Sequence, residues 1–536
     1  MKVHAALAAT LAGHGITTLF GVAGDGNVFF GDSFAYGERG RYVAAAHEAG
    51  SILMAAGYAF AGRSVGVATV THGPGLANTL GTLYSAVRER APVVLVAADT
   101  GAVRRGYAQK VDQSRMVAAT GAVFEQALSA RSAPDDLARA LRTAWQNRCP
   151  VVFDMPADYS FTDIDYERGP RVEFLGPQAT TPSDAVMDPA VGLMAGANRP
   201  VVLAGMGAVW SGAGERLREL AHALGAPLAT TLPAKGLFAG DPSDIGVFGT
   251  LSSKEAVEAI LEADCVIAVG ASLNEYTAGA PDYPYFKDKR VIHVDTDPGS
   301  FGYWHPADVY VLSDASGFAQ SAVSWLKEAD HTPVGFAGNV VRSRSAASSE
   351  SRSQEYVDIN LAMDALNEAL PRNRSVVSDG GRFMGAPVKR LDVPAVDRWA
   401  FPARAFGAIG NGLATAIGVA AAHPDTPTLA VLGDGGFMLG GLTELNTVVR
   451  ARQDMVIVVC NDGSYGAEWE KLRLRDYDVR MSMFSWPDFA PVAESLGAAG
   501  FTVRNALDLE QMKKVIAERN RPILIDLKID PGQATP

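Results

Sequence analysis

Leu429-Ala430-Val431-Leu432-Gly433-Asp434-Gly435-Gly436-Phe437 and, further along, Met455-Val456-Ile457-Val458-Val459-Cys460-Asn461-Asp462-Gly463 are the stretches that decide the fold of this chain. Each opens on a continuous apolar run, the mark of a strand buried on both faces, and each run stops at a turn. Between them, residues 442–452 read as a helix. The interval from Asp434 to Asn461 is 27 residues, the length of a strand–helix–strand crossover, and such a crossover makes its two strands parallel. Asp434 and Asn461 then sit at the carboxyl ends of neighbouring strands, where open α/β sheets hold their ligands. The fold class is therefore α/β.

The same residues form a donor set. Asp434 offers a carboxylate oxygen, Asn461 an amide oxygen and Gly463 a backbone carbonyl. All-oxygen coordination suits a hard cation with near-octahedral geometry, typically Mg²⁺. Taken alone, a Gly-Asp-Gly is ordinarily a tight turn. Here the flanking strand, Gly436-Phe437, the helix carrying Glu444 and the Asn461-Asp462-Gly463 ending combine to point to a site.

Outward from this unit, the 536 residues, 48% hydrophobic and 20% charged, are enough for several buried cores and about three domains. The first, residues 1–165, alternates short apolar strands (65–70, 93–97, 151–154) with helical stretches such as 51–61. A linker rich in Pro, Gly and Thr follows at 169–182. The second domain, 186–332, carries strand-like Val201 to Gly205 and Val266 to Gly270. A Ser- and Arg-crowded linker at 340–355 precedes the third, 356–530. The net charge of −12 argues against a nucleic-acid partner, because phosphate backbones demand clustered Lys and Arg. Cys149, Cys265 and Cys460 are far apart, which suits a reducing compartment. Met1-Lys2 followed by alanines superficially suggests a signal peptide, but a first helix to Gly13 and a strand at 17–21 is the better reading. No apolar stretch reaches the roughly 18 residues of a membrane span, so a cytoplasmic protein is expected.

Further motifs run the length of the chain: Phe20-Gly21-Val22-Ala23-Gly24-Asp25, Ala46-His47-Glu48-Ala49-Gly50, and Thr71-His72-Gly73-Pro74-Gly75 with Asn78. Ala91-Pro92-Val93, the run from Pro150 to Pro156 and Val291-Ile292-His293-Val294-Asp295 follow. In that order, with the Asp434–Gly463 run, they resemble the thiamine diphosphate-dependent decarboxylase and carboligase superfamily of acetolactate synthase, pyruvate decarboxylase, benzoylformate decarboxylase and the 2-hydroxyacyl-CoA lyases. The resemblance covers nearly the whole chain. It implies three doubly wound parallel-sheet domains: pyrimidine-binding, central Rossmann-like and diphosphate-binding.

It also implies a chemistry. Loss of CO₂ from a 2-keto acid leaves an acyl carbanion that no ordinary side chain can delocalise, so a cofactor with an electron sink is required. By resemblance, Glu48 hydrogen-bonds the aminopyrimidine of thiamine diphosphate and promotes loss of its C2 proton. Burial among Ile52, Leu53 and Met54 is expected to raise the Glu48 carboxyl pKa. The bland alternative is an acid favoured by a helix dipole. Ile409 matches the apolar wedge that bends the cofactor, and Gly407 the carbonyl that meets its amino group. Gly433, Asp434, Gly435, Gly436, Asn461 and Gly463 match the diphosphate and Mg²⁺ segment. On the substrate side, His72, Asp25, Gln109 and Gln113 match pocket-lining segments, and a histidine there could shuttle a proton or be merely structural. Glu468 resembles, with one residue's offset, the acid that protonates the intermediate; its alternative is a solvated helix charge.

Departures from the family pattern narrow the reading. The paired histidines of pyruvate decarboxylases are absent from 103–112. Gln109-Lys110-Val111-Asp112-Gln113 is closer to the synthase and lyase branches, with Lys110 replacing an acid. Gly205-Met206-Gly207 with Gly212 and Gly214 departs from the dinucleotide fingerprint, and a strand-to-helix turn favours glycine in any case. Acetolactate synthase-like relatives bind FAD with this domain and some CoA-processing relatives bind ADP, yet residues 270–275 lack the expected Arg, which speaks against a flavin. Since Glu48 and Asp434 lie on separate domains that pair across subunits in this superfamily, a homodimer or homotetramer is expected. The reading is decarboxylation or carboligation of a 2-keto acid, acetolactate synthase-like. A 2-hydroxyacyl-CoA lyase is the alternative, and a catalytically silent cofactor-binding regulatory protein is a third, against which the presence of Glu48, Asp434 and Asn461 argues.

Overall fold

The computed structural model describes residues 1–101, 106–169, 178–279, 285–340 and 356–532. Residues 341–355 of the Ser- and Arg-rich linker and most of the 169–182 linker lie outside them. The chain divides into two compact units, one of Met1–Leu175, Ser351–Met384 and Ala400–Thr535, the other of Gly176–Glu350 and Gly385–Trp399.

The first unit holds two sheets. One contains β1 (Thr18–Gly21), β2 (Arg41–Ala44), β3 (Gly66–Val70), β4 (Val93–Asp99), β5 (Val123–Gln126) and β6 (Val151–Pro156), in the order β2-β1-β3-β4-β6-β5. The second unit holds β7 (Pro200–Ala204), β8 (Leu228–Thr230), β9 (Asp244–Val247), β10 (Cys265–Val269), β11 (Arg290–Asp295) and β12 (Val309–Leu312). Their order, β12-β11-β10-β7-β8-β9, is the doubly wound arrangement of dinucleotide-binding folds. The third sheet contains β13 (Ser375–Ser378), β14 (Trp399–Ala400), β15 (Thr428–Gly433), β16 (Met455–Asn461), β17 (Ala499–Val503) and β18 (Ile523–Lys528), in the order β14-β13-β15-β16-β18-β17. Strand for strand, this repeats the first sheet. All three sheets are parallel α/β layers flanked by helices.

The two decisive apolar runs are β15 and β16, each a residue or two longer than the sequence suggests. Their register runs from Thr428 against Met455 to Gly433 against Cys460, so Asp434 and Asn461 emerge side by side. The intervening helix spans Leu442–Arg450, preceded by a wider π-type turn at Phe437–Gly441.

In the first unit, the Glu48–Gly62 helix follows β2 and the Gly412–Ala422 helix follows β14, so the two occupy equivalent places in the repeated topology. They cross face to face. Gly57 lies so near Thr415 that a β-carbon there would stand 2.4 Å from the Thr415 carbonyl oxygen, and one on Gly418 would stand 1.9 Å from that of Met54. Ile52, Met54, Leu413, Ile417, Val377 and Leu445 join one apolar core across this crossing. Glycine is costly inside a helix, by about 1 kcal/mol relative to alanine, and it is tolerated here because backbones meet without intervening side chains.

Candidate active site

The carboxyl end of the third sheet gathers three loops. Asp379, just past β13, is 1% exposed. Its carboxylate accepts from Gly380 N–H at 2.8 Å and, across to the loop before the Gly412 helix, from Gly410 N–H at 2.8 Å. A β-carbon on Gly436 would stand 3.2 Å from the same carboxylate. Burial pushes the Asp379 carboxyl up to about 6 although these backbone donors oppose it. Sequence reasoning missed Asp379; the available signal was Asp379-Gly380-Gly381 immediately after the apolar strand.

Asp434 is buried beside this junction. Burial, and then the nearby Asp462 carboxylate, push its carboxyl up to about 7 despite hydrogen bonds from the Gly435 and Gly463 backbone and the Trp486 indole, the last at 3.0 Å. Asp462 spends its own charge on Arg382 at 2.9 Å and on Ser464. Asn461 donates its amide nitrogen to Asp526 at 2.9 Å, which leaves its side-chain oxygen as the uncommitted end. The Gly463 carbonyl accepts from Phe484 N–H at 2.7 Å, and a carbonyl oxygen has a second lone pair. A buried carboxylate with an acidic neighbour, an available amide oxygen and a carbonyl fit a divalent cation by donor chemistry and by charge. The described residues contain no group of three or more His, Cys, Asp and Glu side chains arranged for a metal, so any ion here relies on mixed oxygen donors. Gly435 cannot carry a side chain, because its β-carbon would meet the Tyr465 ring at 2.5 Å.

The carboxyl end of the first sheet gathers the other predicted residues. Glu48 is the first residue of its helix, capped by His47, whose ring nitrogen accepts from Ala49 N–H at 3.1 Å. The Glu48 carboxylate accepts from the Asn78 amide at 3.0 Å. It is only half-buried, not enclosed by Ile52, Leu53 and Met54 as expected. The reason is position: those three lie a turn further on, inside the core, whereas Glu48 stands at the helix mouth. His72 is 3% exposed, and among the described residues neither ring nitrogen has a hydrogen-bond partner. Its ring rests against Tyr107, centroids 5.5 Å apart. Gly73, at φ +61°, presses on the Gln109 backbone and is held by Gln113, whose amide oxygen accepts its N–H at 2.9 Å. Gln113 also donates to Asp154, so it is a buried brace. Asp25 is exposed on the turn after β1, next to Gly26, which abuts His72.

Gly407 and Ile409 lie on the loop joined to Asp379. Gly407 has φ +74°, and a β-carbon there would meet nothing within 4 Å, so the backbone conformation, rather than crowding by the chain itself, favours glycine. Glu468 projects from the Gly466–Arg473 helix, its side chain 58% exposed and 3.5 Å from Lys471. Among the described residues, no hydrogen bond or ion pair joins Glu48 or His72 to Asp434, Asn461 or Glu468. In the second unit, packing requires Gly205 and Gly207: β-carbons on them would stand 2.1 and 2.6 Å from the Gly270 backbone.

Three family models match the chain in order: the N-terminal thiamine pyrophosphate-binding domain of thiamine pyrophosphate enzymes at residues 1–117, their central domain at 187–349 and their C-terminal thiamine pyrophosphate-binding domain at 384–527. A probable acetolactate synthase large subunit of Methanocaldococcus jannaschii is 26% identical over 100% of this chain and 93% of its own length. A probable 2-ketoarginine decarboxylase of Pseudomonas aeruginosa is 26% identical over 95% of this chain and 90% of its own. Among solved structures, the thiamine diphosphate-dependent 4-hydroxybenzoylformate decarboxylase of Rhodococcus jostii superposes with a TM-score of 0.84 at 21% identity, covering 99% of both chains.

Proposed function

This chain belongs to the thiamine pyrophosphate-dependent enzyme superfamily, and from that membership we propose that it decarboxylates a 2-keto acid and passes the acyl unit to a proton or a second carbonyl compound. The observation that carries the reading is the placement of Asp434 beside Asn461 at one sheet end, with the Asp434 carboxyl buried against the Asp462 carboxylate.

Bound there, thiamine diphosphate supplies the electron sink that a 2-keto acid needs to lose CO₂. Asp434, Asn461 and the Gly463 carbonyl hold Mg²⁺, and the backbone of Gly433, Gly435 and Gly436 lines the diphosphate. Ile409 and the Gly407 carbonyl orient the ring system. Glu48, steadied by Asn78, holds a proton at its carboxylate for the aminopyrimidine. His72, buried and with both ring nitrogens unpartnered among the described residues, moves a proton near the substrate carbonyl. Asp25 and Gln109 bound the substrate space, and Glu468 delivers a proton once its pair with Lys471 opens.

The half-exposed Glu48 supports a homodimer or homotetramer in which another subunit's diphosphate-binding domain covers it. The free cysteines support a cytoplasmic location. Calorimetry with thiamine diphosphate and Mg²⁺, and CO₂ release from a panel of 2-keto acids, test the function. Turnover is expected to fall at least about a hundredfold in Glu48→Gln, the scale of a lost acid–base partner; undiminished turnover removes Glu48 from the mechanism.

A further inference from the structure

Glu444 is 1% exposed, and its carboxylate serves nothing in the Asp434 cluster. It reaches instead from the third-sheet domain into the chain leading to Glu48. One oxygen accepts from the N–H of Ala46 at 3.1 Å and of His47 at 3.2 Å; the other accepts from Ala46 N–H at 3.2 Å and from the Thr447 hydroxyl at 2.7 Å. Arg450, one turn on, donates to the Ala44 carbonyl at 2.9 Å and to Thr447 at 3.0 Å. Gly50 makes room for this, since a β-carbon there would stand 2.3 Å from the Glu444 carboxylate.

A carboxylate so buried is costly unless its lone pairs are met. The donors that meet it are the two consecutive amides before Glu48, where the chain turns from β2 into its helix. Ala46 and His47 are otherwise exposed, and the Glu48 side chain accepts a hydrogen bond from Asn78 on the same domain. We propose that Glu444 is a positioning residue: by clamping the Ala46 and His47 amides, it fixes where the Glu48 carboxylate stands. This rests on the reading of Glu48 as the acid that partners the cofactor.

Two measurements test it. Amide hydrogen–deuterium exchange over residues 44–50, in protein without added cofactor, reads the clamp directly. Deuterium exchange at C2 of bound thiamine diphosphate, followed by NMR after acid quench, reads the consequence without substrate turnover. Glu444→Ala removes the acceptors; Glu444→Gln keeps an oxygen for both amides and is the conservative rescue. Glu444→Asp, one methylene shorter, carries the test if the alanine variant does not fold. Hydrogen bonds to a charged group set the scale, so the alanine or aspartate variant should speed 44–50 exchange by about tenfold or more and slow C2 exchange similarly, with glutamine near wild type. Unchanged 44–50 exchange overturns the proposal. Slowed C2 exchange in Glu48→Gln beside an unchanged rate in Glu444→Ala overturns the positioning role alone. An unchanged rate in Glu48→Gln overturns the reading of Glu48 and the role built on it.

Discussion

Single side chains in this protein tie its domains together as much as they build the site. Glu89, at the end of the Leu80–Arg88 helix, faces Arg404 at 3.9 Å on the loop that leads to Gly407. Arg404 also stacks over Phe60, and Phe406 packs on Tyr84. Burial drives the Glu89 carboxyl up to about 7, against the pull of Arg404. In the unfolded chain it titrates near 4.5. Between those values the folded state keeps a proton that the unfolded state has lost, so stability falls as pH rises through the window, by at most about 3 kcal/mol. Glu89→Gln removes that slope: in urea titrations at about pH 5 and about pH 8, the variant should gain on wild type at the higher pH. Parallel behaviour of the two proteins would contradict the assignment. At this scale the sequence was only partly legible. Glu48, Asp434 and Asn461 announce themselves by motif and spacing. Glu444 belongs to the same motif run, but its role is not legible there, because its partners Ala46 and His47 lie 398 and 397 residues away. Glu468, chosen by position, stands on an exposed helix face in the isolated chain.

Elements were read more easily than their partners. Continuous apolar runs mark β15 and β16 because strands buried on both faces carry no polar alternation. The Gly412–Ala422 helix is nearly all small and apolar, which foretells burial but not what it packs against. Its partner, the Glu48–Gly62 helix, follows from the repeated sheet topology. The crossing makes a sharp prediction for Gly418→Ala. Helix propensity favours the substitution by about 1 kcal/mol. The new methyl would meet the Met54 carbonyl, a backbone atom that cannot rotate away, and overpacking of this kind costs about 1–3 kcal/mol. Thermal unfolding should therefore show a lowered midpoint for Gly418→Ala, whereas Gly81→Ala, in open space on the same unit, should lose nothing. A midpoint at or above wild type for Gly418→Ala would sink the close-crossing account.

At the scale of the molecule, the presence of three α/β sheets was legible from chain length and motif order. The exact repeat of strand order between the first and third sheets was not, since strand order depends on contacts between residues far apart in the chain. That repeat puts the Glu48 helix and the Gly412–Ala422 helix in equivalent places after the second strand of their sheets. The proposed homodimer joins Glu48 of one subunit to Asp434 of another in each site. Co-expressing a Glu48→Gln chain with an Asp434→Asn chain tests it directly. Each variant alone should be inactive. If the halves come from different subunits, mixed dimers contain one fully intact site, and CO₂ release should recover to about a quarter of wild type under random pairing. No recovery in verified mixed dimers would mean that both residues serve the same chain's site, and would contradict the account.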